Sequence, residues 1–502
     1  MTFCPRVVLL IGLLLPGVVA SAAPLDESRR PAHVLNRLAF GPTTTDLERV
    51  KTLGVEGYIA EQLDPALITP SAALDQNLVR LTTLNLSVVA LYLEYGPTVR
   101  GRGQKPDRKV VRETRQRARV ILDEASTARL RRAIESPRQL EEVMVDFWFN
   151  HFNVFANKGL DHLWIGAYER EAIRPHVFGR FRDLLGATAR HPAMLFYLDN
   201  WQNTAPGSPG ARGRFKGLNE NYARELMELH TLGVNGGYTQ QDIISLARIF
   251  TGWGFVLPRA RARGSQGGFR FDAARHDASE KVFLGRTIRG AGIEEGEQAL
   301  DMLARHPSTA RHIAYKLAQY FVADEPPATL VERLAGRFRD TDGDIRAVLK
   351  DLFASPEFWD ERYFGAKFKT PYHYVVSAVR ASGVSVENHR PLRGALFHQG
   401  MPLYLCQTPD GYKNTEAAWL NPDAMMRRLS FAAALGSGRL SLGGKTALRS
   451  GGPDIAAKPL DAYRLMRLAA NHYSENTRTT IAEAAPALKA ALILGSPEFM
   501  RR

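Results

Sequence analysis

Cysteine is nearly absent: the 502 residues hold two, Cys4 and Cys406. Cys4 falls inside a stretch that reads as a secretory leader, which leaves Cys406 alone after processing. One thiol allows no intramolecular disulfide and no cysteine-based zinc site. Covalent haem attachment is excluded too, because no Cys-x2-Cys-His occurs. A Gly-rich phosphate loop and a Gly-x-Ser-x-Gly elbow are also missing. Strand and helix patterns do not alternate, so no Rossmann-type site is expected. Past the leader, no apolar run is long enough to span a bilayer, so no transmembrane segment is expected.

What is present begins with the leader. Arg6 gives a short basic start, Val7 to Ala20 an apolar core, and Ala20-Ser21-Ala22 a small-x-small cleavage site. Residues 1–22 therefore read as a signal peptide and 23–502 as a single large helical domain, soluble and periplasmic or extracellular. A composition of 45% hydrophobic and 24% charged residues suits a globular protein with a sizeable core.

The formal charge is +14. The excess gathers at Arg100, Arg102, Lys105, Arg108 and Lys109, continues through Arg112, Arg115, Arg117 and Arg119, and returns at Arg259, Arg261 and Arg263. For an exported chain this disfavours nucleic acid and favours an anionic polysaccharide or another cell-envelope component as partner. The plain alternative is a solvated helix face and a loop.

Helical periodicity dominates, and the expected fold class is all-α, a large helical assembly with one small β-hairpin-like insertion. Expected helices include Pro31 to Ala39, Leu47 to Leu53 after a Thr45-x-x-Glu48 capping box, Val55 to Leu63, and Val110 to Ile134. Ser136-Pro137 should open a helix reaching Phe152, and Thr239-x-x-Asp242 should cap one from Gln240. Pro175 should kink or split a run from Trp164 to Ala189. The insertion is expected around Phe269-Arg270-Phe271 and Lys281 to Leu284. Residues 390–421 read as irregular and 436–458 as a mobile loop.

The stretch Asn219 to Val234 is the densest in polar and ionisable groups. Asn221, Arg224, Glu225 and Glu228 recur at helical spacing and fall on one face. A salt-bridge ladder is the ordinary explanation, but Asn221 and Tyr222 add neutral hydrogen-bonding groups beside the charges. A second cluster is Asp146, Asn150 and His151 among Phe147, Trp148 and Phe152. A satisfied core histidine is its ordinary explanation. His276-Asp277 forms a third, where a turn role for Asp277 is the simpler reading. His151, His230 and His276 with Glu225 or Glu228 offer atoms for a divalent ion, yet the polar stretch has no His-x3-His or Glu-x2-His pair, so no metal ligands are assigned and any cofactor is unknown.

Several motifs occur together: His33-x3-Arg37-x2-Phe40-Gly41-Pro42, Phe147-Trp148-x-Asn150-His151-Phe152, Asn221 to Leu226 with Leu229 to Gly233, Thr251-Gly252-Trp253, His276-Asp277 and Ser355-Pro356-Glu357-Phe358-Trp359. In this order they resemble the family catalogued as domain of unknown function 1800, from about residue 31 to the C-terminus. Family members often carry Gly-Trp where this chain has Gly411-Tyr412. The resemblance implies an exported bacterial protein of mostly helical fold. It also implies a potential partner in a neighbouring exported sulfatase- or phosphatase-like protein. It implies no agreed activity.

Two functions fit the sequence. One is a binding or assembly protein of the envelope, docking an anionic partner through its basic segments and the polar helix. The other is a periplasmic acid/base enzyme, a lyase or hydrolase, acting on an anionic polysaccharide. There Asn150 and Arg224 would neutralise an acid group, His151 or Tyr222 would move a proton, and Glu225 and Glu228 would complete the catalytic set. Asn221, His230, His276 and Asp277 would contact substrate.

Overall fold

The computed structural model describes residues 23–97, 107–256, 268–443, 459–468 and 473–502. The leader reading, the Arg259–Arg263 cluster and most of the 436–458 loop lie outside these residues. Among the described residues the fold is all-α apart from two small antiparallel ladders.

Two helices form the centre. Gln139–His151 buries eleven of its thirteen residues, among them Met144, Trp148 and Phe149. All twelve residues of Pro371–Ser382 are buried. Such all-round burial suits sequences rich in Val, Phe, Tyr and Trp, and it forces each polar side chain on them to find a partner inside. Outer helices are amphipathic. Pro307–Phe321 buries Ile313, Ala314, Leu317, Ala318 and Phe321 and packs against Ala328–Asp340. Near the C-terminus, Pro422–Gly436 packs on Pro486–Leu494, where Gly436 lets the backbones close: a Cβ there would sit 2.7 Å from the Ala491 nitrogen.

Element ends follow local chemistry with some shifts. Thr239 and Asp242 form the expected capping box on Gln240–Ile249. The earlier box is Thr43 with Asp46, not Thr45 with Glu48. Asp46 accepts from Thr43 N–H at 3.0 Å and is also gripped by Arg380 at 2.7 Å, a tertiary bond that selects this register. Thr44–Leu63 runs on through a break at Gly54, whose φ of +73° is non-helical, so the two expected segments persist as two arms. Pro137 lies just before its helix, which starts at Gln139. The 161–190 run divides as Pro175 requires, into Asp161–Tyr168, a π turn Glu169–Ile173, a short 3-10 turn and Phe181–Arg190. Arg390–His398 is helical inside the stretch read as irregular.

The insertion contains both expected strands, each with another partner. Strand β1 (Trp253–Phe255) pairs with β2 (Phe269–Phe271), with Trp253 opposite Phe271. Strand β3 (Lys281–Phe283) pairs with β4 (Arg286–Ile288), with Lys281 opposite Ile288.

Candidate functional site

The buried helix Gln139–His151 ends on Asn150 and His151. Asn150 spends both ends of its amide on one residue: its Nδ2 donates to the Tyr412 carbonyl at 2.8 Å and its Oδ1 accepts from the Tyr412 N–H at 2.8 Å. The loop can come this close because Gly411 has no side chain. A Cβ there would lie 2.2 Å from the Asn150 carbonyl oxygen, and φ is +69°. Asn150 is thus a clasp for the loop rather than a free group facing a substrate.

His151 packs among Phe147, Trp148 and Phe152. Its Nε2 lies 3.1 Å from the His230 carbonyl. A carbonyl only accepts, so Nε2 carries the proton. Burial, helped by the charge of Lys316 and by His312, pushes the ring's pKa far down and keeps it neutral. The rings of His230 and His312 each lie 6.1 Å from that of His151. Burial with the Lys316 charge holds His230 down at about 3 and His312 at about 4. No group of three His, Cys, Asp or Glu side chains among the described residues is arranged to hold a metal ion.

Beside these residues opens a cavity of about 280 Å³, lined by Asn150, His151, Lys316, Asp410, Tyr412 and Lys413 among others. Asp410 is paired with Lys413 at 2.5 Å. Lys316 was not singled out from the sequence. Protein packs round it closely enough that desolvation lowers its pKa against the pull of Asp410.

The polar stretch departs from a regular four-turn helix. Asn221–Glu225 is one α turn, and Leu226–His230 is a π turn closed by Thr231, whose hydroxyl donates to the Leu226 carbonyl at 2.6 Å. Arg224 bonds Glu220 at 3.0 Å, Glu228 at 3.2 Å and Gln240 at 2.9 Å, with the guanidinium side chain 36% exposed. This is the ladder of the ordinary explanation. Asn221 donates to the Leu198 carbonyl at 3.3 Å. Tyr222 is buried edge-on against Phe250, and burial raises its hydroxyl pKa, which removes it from proton transfer at a solvent-open site. Glu225 is half-buried, and desolvation with Glu228 raises its pKa. Of the polar-stretch residues read as site candidates, His230 meets His151 through its carbonyl and ring, and Glu225 feels the charge of Asp410 on the cavity wall.

His276 and Asp277 belong to a different assembly. His276 Nε2 lies 2.9 Å and Lys281 Nζ 2.5 Å from the Glu295 carboxylate, with Lys281 and Glu295 wholly buried. Burial would raise the Glu295 pKa, but bonds from His276 and Lys281 outweigh it and lower it. Asp277 turns the other way, to Arg248 at 2.7 Å and to Ser279. There too hydrogen bonds outweigh burial and bring the carboxyl to about 2. These contacts pin the β ladders to the helices, a structural role.

The basic segment is the helix Arg108–Glu135. None of residues 108–117 is buried, and the first buried position is Ala118. Arg108, Lys109, Arg112, Arg115, Arg117 and Arg119 are all exposed, and none makes an ion pair among the described residues.

Compared with known families, the chain matches the model described as "Protein of unknown function (DUF1800)" over residues 33–501 and belongs to that family. No curated protein and no solved structure matches it.

Proposed function

We propose that this DUF1800-family protein binds an anionic polymer of the cell envelope, of polysaccharide type, through the first half of the helix Arg108–Glu135. One observation carries the reading: ten residues of that helix, about 15 Å at 1.5 Å per residue, have no fully buried side chain yet hold five of its cations. Helices in water draw most of their stability from a packed face, and residues 108–117 bury none of their side chains fully. Arg108 with Arg112, Arg112 with Arg115 and Arg115 with Arg119 stand at i, i+3 or i, i+4, spacings at which like charges repel by a few tenths of a kcal/mol per pair. Lys109 and Arg117 each stand four residues from Glu113, so the repulsion falls on the row Arg108, Arg112, Arg115 and Arg119, where a chain of anions would relieve it.

The same reading has the protein exported, on the strength of the leader-like residues 1–22. The acid/base alternative draws less support, since Asn150 is occupied by Tyr412, Tyr222 is in the core and Arg224 is held in a ladder. The test is retention on a sulfated-polysaccharide resin. The wild type should be retained at low salt and released as salt screens the charges, and the variant Arg112→Glu/Arg115→Glu/Arg119→Glu should elute much earlier. Equal retention of the two would reduce the helix to a solvated face.

A further inference from the structure

We propose that the cavity beside Asn150 and His151 is a binding site for a small hydroxy-carboxylate, its carboxylate received by the ammonium of Lys316. None of residues 108–119 lines this cavity, so the inference stands apart from the polymer reading.

Lys316 lies on Pro307–Phe321 and reaches the cavity wall. It makes no hydrogen bond or ion pair among the described residues. Its nearest acid in effect is Asp410, which acts on it only through charge, because Asp410 is held by Lys413. The other acid on the wall, Asp146, is bound by Arg129 at 2.7 Å and by the Tyr320 hydroxyl at 3.4 Å. The three neighbouring histidines are held neutral and add no further positive charge. Lys316 is half-buried on the cavity wall and its ammonium has no hydrogen bond or ion pair among the described residues, so it can receive an incoming carboxylate.

The rest of the wall says what should carry that carboxylate. The Thr415 hydroxyl, the Gln319 amide oxygen and the Asn414 side chain have no hydrogen-bond partner among the described residues. These suit hydroxyl groups, which both donate and accept. Phe147, Leu229 and Met401 provide an apolar surface for a short carbon skeleton. The volume equals roughly nine waters at about 30 Å³ each, which limits the ligand to something near one sugar acid.

The experiment is thermal unfolding of the full chain with glucuronate, with glucose and inorganic phosphate as comparators, on the wild type and on Lys316→Met. Glucuronate should raise the wild-type midpoint in a saturable way, with glucose and phosphate giving little. Lys316→Met should lose the response while melting close to the wild type without ligand, because the half-buried ammonium it removes has no partner among the described residues. If Lys316→Met does not fold, competitive amine labelling of the wild type decides: glucuronate should protect Lys316 and glucose should not. No shift with glucuronate, an equal shift with glucose or phosphate, a retained shift in Lys316→Met, or an unprotected Lys316 would each overturn the proposal.

Discussion

Asn150 and Tyr412, 262 residues apart, hold one another by two hydrogen bonds of 2.8 Å between one side-chain amide and one backbone unit. This pair fixes the loop that roofs the cavity over Lys316. Asn150→Ala should leave the Tyr412 N–H and C=O without partners, at about 1–3 kcal/mol for each group that water does not reach. Asn150→Asp keeps the acceptor for the Tyr412 N–H but sets a carboxylate oxygen against its carbonyl, so it should cost at least as much as Asn150→Ala. Urea midpoints of the two variants check the order, and equal, negligible losses would contradict the clasp.

Glu295 holds buried Lys281 and His276 together. Glu295→Gln should strand the Lys281 ammonium and destabilise by about 3–5 kcal/mol. The pair Lys281→Met/Glu295→Leu should recover much of that loss, because no charge is left uncompensated. Both should leave polymer binding intact. A Glu295→Gln protein as stable as the wild type would show that the charge pair is not needed.

Acid sensitivity follows from the buried histidines. His230 and His312 titrate in the folded chain at about 3 and about 4. In the unfolded chain both return to about 6.5. Between these values the unfolded state binds more protons, so stability rises with pH. It is fully present above about pH 6.5 and falls, on acidification toward pH 4, by about 1.4 kcal/mol per pH unit for each such histidine. His230→Leu should flatten the slope by about that amount. A slope unchanged in this variant would contradict a neutral, buried His230.

Arg224 is the contrasting case. It sits in a half-exposed ladder with Glu220 and Glu228. Arg224→Ala should cost about 0–1 kcal/mol. It should leave retention on anionic resin unchanged. A large loss in either measurement would return the polar stretch to the functional site.

Legibility in the sequence tracked how local each cause was. The Thr239–Asp242 box needs only its own four residues and was readable. The choice of Thr43 over Thr45 depends on Arg380, 334 residues from Asp46, and was not. The shared face of Asn221, Arg224, Glu225 and Glu228 assumed 3.6 residues per turn. The π turn at Leu226–His230 breaks that period, and its neighbours are tertiary ones: His230 offers its carbonyl to His151 and packs on Phe152. Lys316 carries no sequence signal of its own and flanks the apolar stripe of Pro307–Phe321. The 401–415 loop, which carries no periodic signal, lines the cavity with it. The one hint was the alignment of His312 and Lys316 at i, i+4 beside Ile313 and Leu317.

The central claim is that the position of the charges on Arg108–Glu135, and not the net charge of the protein, binds the anionic polymer. The direct measurement is the dissociation constant for heparin at fixed salt, for two triple variants carrying the same change in net charge. One reverses Arg112, Arg115 and Arg119; the other reverses Lys51, Arg289 and Arg339, which are exposed and make no ion pair among the described residues. The account predicts a loss of tenfold or more, on the order of 1.4 kcal/mol or greater, for the first triple and near wild-type affinity for the second. Equal weakening of both would contradict it.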